Sequence, residues 1–227
     1  CLFRGCSATM RGGAVYLDKN YSVTIEDCEF TSCRTTNSGH GGAAAIIGGM
    51  ATFRRCLFQD NQSLGGHGGA LHLEKSATTT MLFADCEFRG NSAQEDGGAV
   101  RANDLEPGIL HFAKCRFLDN QLSSNDRFGG AIYFQQSGGT FTNCEFRSNL
   151  VPGNLANQGF GGAIYLNGAG ETILDTCLLV GNAAAASGGA IYLQGAAHDL
   201  FLIRSTISGN RLLCGTPGSE GIFRQAG

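Results

Sequence analysis

Apolar and polar residues alternate along this chain in bursts of three to five residues, and the bursts recur as a set. The first burst follows a Gly-Gly pair: Ala-Val-Tyr-Leu at 14–17, Ala-Ile-Tyr-Phe at 131–134, Ala-Ile-Tyr-Leu at 163–166 and again at 190–193. Period-two alternation puts Val15, Leu71, Val100, Ile132, Ile164 and Ile191 on one face of a strand, followed two residues later by Leu17, Leu73, Phe134, Leu166 and Leu193. A second burst ends three residues before a cysteine, where Ile25, Phe53, Phe83, Phe112, Phe141, Leu174 and Leu202 are apolar in every turn. The third is Cys-x-Phe at Cys1, Cys28, Cys56, Cys86, Cys115 and Cys144, continued by Cys177 with Leu179 and by Ser205 with Ile207. Successive cysteines stand 27 to 33 residues apart, so a fixed frame carries loops of varying length.

A three-strand unit cannot bury its apolar face alone, but stacking equivalent strands about 4.8 Å apart buries it and pairs the backbones. The pattern therefore predicts an all-β fold: a right-handed parallel β-helix of about eight coils with three short strands per coil, forming a single segment over residues 1–227. Both ends interrupt a coil, and the expectation is a piece of a longer chain. Helical periods of ten or more residues are missing, and propeller blades would need a longer repeat. Five residues after the cysteines runs another column, Asn61, Asn91, Asn120, Asn149, Asn182 and Asn210. Asn tolerates left-handed turns, and stacked amides bond to one another along a rod.

Repeated Gly-Gly-Ala together with Phe-x-x-Asn (Phe58 to Asn61, Phe88 to Asn91, Phe117 to Asn120, Phe146 to Asn149) resembles the repeat of the chlamydial polymorphic outer membrane protein family. The likeness runs over nearly the whole chain. It implies a surface-exposed β-helical passenger, often tied to adhesion, and an extracellular or cell-surface location.

Composition narrows the picture. Glycine at 35 of 227 residues and charged residues at only 15% fit tight turns joined by short buried segments. A net charge of −3 without a basic block argues against nucleic acid as a partner, and no stretch approaches the roughly 20 apolar residues of a membrane-spanning helix. The expected partners are neighbouring protomers or further repeats of the same chain, with glycans as a third candidate; no cofactor is expected.

Parallel β-helices also carry polysaccharide lyases and hydrolases, which need converging carboxylates. Gly-His-Gly at 39–41 and 66–68 matches a short polygalacturonase motif, but the accompanying Asn-Thr-Asp and Asp-Asp motifs are missing. The histidines fill the variable position before Gly-Gly, held elsewhere by Arg11, Asp96, Phe128, Phe160 and Ser187. Carboxylates alternate with arginines in neighbouring turns (Asp27 with Arg55; Glu87, Arg116, Glu145), as in a charge ladder. The reading is a non-enzymatic structural or adhesive module, with a carbohydrate-active β-helix as the alternative.

Candidate contact residues are few. Tyr133, Tyr165 and Tyr192 recur at the outward position of the first strand and are expected to form a flat aromatic strip. The two longest loops bring Asp126, Arg127, Asn154, Asn157 and Phe160 to one side. Cys6 and Cys33 replace Asn in the first two turns, at a separation suited to a disulfide, while the main cysteine column is expected to stay unbridged. Asn20-Tyr21-Ser22 is a glycosylation sequon in a turn; Asn61-Gln62-Ser63 fits the same pattern but lies in the Asn column.

Overall fold

The structure, a computed structural model, describes residues 1–19, 22–74, 80–154, 158–195, 197–214 and 219–225. The chain winds as a parallel solenoid of about seven turns. The first sheet has eight strands, from Val15–Asp18 to Ile222–Arg224. The second has seven, from Ser22–Glu26 to His198–Ile203, and the third eight, from Leu2–Arg4 to Thr206–Ser208. Every pairing is parallel and in register, so each residue lies on its counterpart one coil away. Ile25 pairs with Phe53, Phe53 with Phe83, Phe83 with Phe112, Phe112 with Phe141, Phe141 with Leu174 and Leu174 with Leu202, as the apolar column predicts. Leu202, in the last coil, is 44% exposed because the stack ends there.

The sequence pattern predicts three strands per coil, and the structure has four. The extra strand is two residues long and follows the Asn column: Ser7–Ala8, Arg34–Thr35, Gln62–Ser63, Ser92–Ala93 and Gln121–Leu122 pair in one sheet, Ala183–Ala184 and Arg211–Leu212 in another. Leu150 bridges the two sheets. Two residues are too few to show a period, and their mixed polarity hid them.

The core is a set of side-chain stacks. Phe3, Phe30, Phe58, Phe88, Phe117 and Phe146 lie face to face at 4.7–4.8 Å, within 3–5° of parallel. Phe53, Phe83, Phe112 and Phe141 form a second stack at 4.9–5.1 Å that meets the first edge-on. The strand spacing imposes the face-to-face geometry, and the edge contacts between stacks add the favoured aromatic arrangement. The cysteines flank this core as thiols. From Cys56 to Cys177 each donates to the carbonyl two residues back and to a carbonyl of the second strand one coil earlier, as Cys86 does to Ala84 at 3.3 Å and Phe53 at 3.5 Å. Ser205 makes the same two bonds with a hydroxyl, to Ile203 and Leu174, which identifies the role of the column as capping those carbonyls.

The corners are left-handed. The residue before each position of the main cysteine column from Cys28 to Ser205 (Asp27, Arg55, Asp85, Lys114, Asn143, Thr176, Arg204) has φ between 48 and 57°. The residue before the Asn position is left-handed in every turn, whether Gly, Ser or Asp. Each Asn then closes its corner. Asn120 accepts from the backbone N–H and the side-chain amide of Asn91 at 3.0 Å and donates to Phe88 O at 2.9 Å. Its own N–H and amide pass to Asn149. The Gly-Gly corner is steric: at Gly130 a Cβ would stand 2.2 Å from the carbonyl of Gly162, and Gly129 has φ 73°. Outside, the charge ladder forms as expected. Arg55 holds Asp27 through two bonds at 2.7 and 2.9 Å, and Arg116 reaches both Glu87 and Glu145. Such exposed pairs contribute little each.

The frame makes the corners the sensitive positions. Asn120→Ala leaves several buried donors and acceptors unpaired and is expected to cost about 3–5 kcal/mol in urea unfolding. Gly130→Ala is expected to prevent folding. Gly181→Ser, at a corner where a Cβ meets nothing closer than 3.9 Å and Ser148 serves one coil earlier, should cost less than about 1 kcal/mol.

Candidate functional site

The chain's outward-facing chemistry gathers on the first sheet. Alternation sends the second residue of each first strand outward: Tyr16, Ala45, His72, Arg101, Tyr133, Tyr165, Tyr192 and Phe223 stack in register. The residue before each Gly-Gly stands five positions earlier, and the left-handed first glycine folds it back over this face. The face therefore carries two layers.

At its C-terminal part the layers are aromatic. Tyr165 lies 5.4 Å from Tyr133 and 5.1 Å from Tyr192, ring centre to ring centre. Phe128 covers Tyr165 at 4.6 Å, Phe160 covers Tyr192 at 4.7 Å, and Phe223 continues the stack at 5.3 Å. The expected open strip is thus corrected: Tyr133, Tyr165 and Tyr192 are only 5%, 2% and 5% exposed. Their hydroxyls are tied along the rod. Asn167 donates to the Tyr133 hydroxyl at 3.0 Å, Tyr165 donates to Gln194, and Tyr192 donates to Gln225 at 3.0 Å. Burial pushes all three phenols above their ordinary value near 10.

Toward the N-terminus the same two columns are polar. His40 stacks on His67 at 5.1 Å and on His72 at 4.8 Å. Backbone N–H groups of the next coil donate to the covering side chains: His67 N–H to His40 Nδ1 at 3.2 Å, Asp96 N–H to His67 Nδ1 at 3.1 Å, Phe128 N–H to Asp96 Oδ1 at 3.2 Å. His67 Nδ1 is also 3.4 Å from Asp96 Oδ2, and His72 Nε2 is 3.5 Å from Glu74. Arg101 donates to Gln135 at 2.6 Å and lies over the Tyr133 ring. Burial holds His40 down to about 4 and His67 to about 2, and raises Asp96 to about 6. Among the described residues no group of three or more His, Cys, Asp or Glu side chains is arranged to hold a metal ion.

The loop candidates separate. Arg127 is paired with Glu95 at 3.1 Å, and Phe160 belongs to the aromatic cover. Asp126, at φ 64°, and Asn154 are exposed and are not drawn into the two-layered face. Asn157 and Asn20 lie outside the described residues. Asn61 is fully buried, its amide bonded to Phe30 O and Asn91 Oδ1, which leaves no room for a glycan. Cys6 and Cys33 occupy adjacent coils but are separate thiols, in place of the expected disulfide; both donate to backbone carbonyls instead, Cys6 to Arg4 and Cys33 to Phe3 at 3.4 Å.

The covering column is what sequence reasoning missed, although a signal existed. Residues five apart match in chemistry: Arg11 with Tyr16, His67 with His72, Asp96 with Arg101, Phe128 with Tyr133 and Phe160 with Tyr165.

Comparison with known proteins supports the frame. Residues 1–154 match the family described as a right-handed β-helix region. A segment of 110 residues, 48% of this chain, is 27% identical to the metabotropic glutamate receptor-like protein P of Dictyostelium discoideum, of whose length it spans 7%. No solved structure matches significantly.

An alkaline absorbance titration should show Tyr133, Tyr165 and Tyr192 ionising above pH 10, with Tyr165 shifted far upward. Phe160→Ala should return Tyr192 toward 10 and lower stability by about 1–3 kcal/mol.

Proposed function

The chain belongs to the right-handed β-helix family, and from that premise we propose that it is a non-enzymatic structural or adhesive module of a secreted or cell-surface protein. One observation carries the reading. The side chains that would do chemistry on the two-layered face are engaged in holding coils together: the Nδ1 atoms of His40 and His67 accept backbone N–H groups, and the tyrosines lie beneath phenylalanines. A histidine whose acceptor nitrogen is occupied by a buried backbone donor is not free there to take a proton from a substrate. The repeat's resemblance to polymorphic outer membrane proteins supports display at a surface, as does the shared segment with a receptor-like protein. The partners that suit a rigid rod are further coils, neighbouring protomers or glycans met at its exposed loops.

The carbohydrate-active reading is tested directly by incubation with polygalacturonate and related polysaccharides, following reducing ends and unsaturated products. No turnover above buffer is expected. Cleavage that disappears in His67→Ala would overturn the proposal. Location is tested by antibody labelling of intact cells of the source organism and of its culture medium. Signal is expected without permeabilisation, and signal seen only after permeabilisation would contradict surface display.

A further inference from the structure

The N-terminal half of the two-layered face contains a stack of histidines, and its hydrogen bonds define the protonation state of His40 and His67. The His67 N–H points at His40 Nδ1 and the Asp96 N–H at His67 Nδ1. A ring nitrogen that accepts a hydrogen bond carries no proton, so both rings are neutral with the proton on Nε2. An imidazolium donates from both nitrogens. Protonation would turn each acceptor into a donor facing a donor, removing the bond between coils.

We propose that the seam built from His40, His67 and Asp96 is an acid-sensitive latch, which protonation opens at the Gly-Gly corners of residues 39–42, 66–69 and 96–98 while the aromatic half of the same face stays closed. The reading stands apart from the surface role proposed above.

The surroundings amplify the effect. His72 stacks on His40 from the strand beneath. Arg11 pairs in the backbone with His40 from the preceding coil, Arg101 stands under Asp96, and Arg127 approaches from the following loop. The opposing carboxylates are Glu74 beside His72, Asp96 beside His67, and Glu95, which is already paired with Arg127. Three protonated rings would put six cationic groups against three anionic ones in a half-buried cluster. Burial already holds His40 at about 4, His67 at about 2 and His72 below its ordinary value.

In the opened corner these histidines titrate near 6.5. The closed form is fully favoured above that value and loses tenfold per pH unit per ring as pH falls below it. Asp96 acts in the opposite sense. Its closed-form value of about 6 lies above its ordinary one, so acidification below pH 6 favours closure by tenfold per unit and cancels one ring. With His40 and His67 set against Asp96, the net effect approaches tenfold per pH unit between about pH 6 and 4 and about fiftyfold from pH 7 to 5, and His72 acts in the same direction as the two rings. The covering and covered side chains of the aromatic half, from Phe128 to Phe223, include no group that titrates in this window, so it serves as the internal control.

Hydrogen–deuterium exchange of the intact protein at pH 7 and pH 5, corrected for intrinsic rates, tests the latch. Peptides covering 38–45, 65–72 and 94–101 are expected to lose protection more than tenfold relative to 160–166 and 188–193. Equal change in both groups, or none in either, would overturn the proposal. The double variant His40→Gln, His67→Asn keeps an acceptor oxygen but cannot titrate. Its acid loss is expected to fall well below that of the wild type, and retention of the full loss would also overturn it. If that variant does not fold, the wild-type comparison decides alone.

Discussion

The whole structure depends on one distance. Parallel strands pair about 4.8 Å apart, and in a solenoid that spacing is also the rise from coil to coil. Once the register is set, each side chain has its counterpart directly above and below it. The choice at each position is then whether a residue can stack on itself. Phenylalanine can, as flat rings at 4.7–4.8 Å. Asparagine can, by accepting from the amide and N–H of one neighbour while passing its own to the next. Glycine at the Gly-Gly corner is required because the next coil's carbonyl sits where a Cβ would be. Charges cannot repeat, so they alternate, as Glu87, Arg116 and Glu145 do.

The same distance governs the outside. The first sheet presents an outward column that would otherwise be a solvated ladder, but the left-handed glycine folds the preceding residue back over it. The two columns then select partners for each other: rings over rings from Phe128 onward, and histidines and an Asp–Arg match before it. The outer face becomes a second, shallow core. Side chains that look like recognition or catalysis in the sequence thus also join one coil to the next.

Much of the fold was legible because a stacked repeat writes its register into spacing. The Cys, Asn and apolar columns needed only counting, and each lies where counting put it. The fourth strand was not legible, because two residues of mixed polarity such as Gln62–Ser63 carry no period. The burial of Tyr133, Tyr165 and Tyr192 was not legible from alternation, which sends them outward correctly but says nothing of what lies over them. The missing link was the fixed offset of five residues between Phe128 and Tyr133, or Asp96 and Arg101, a relation between two columns that reading each alone does not reveal. Nor did the spacing that brings Cys6 and Cys33 into adjacent coils determine their bonding, since a thiol also finds partners among corner carbonyls.

The central claim is that the outer face holds coils to one another. It is tested most directly by a double-mutant cycle on Phe128 and Tyr165, which sit in successive coils with ring centres 4.6 Å apart. Unfolding free energies of Phe128→Ala, Tyr165→Ala and the double variant should give a coupling of about 0.5–1.5 kcal/mol. Additivity within error would contradict the account and leave those rings without a role in binding one coil to the next.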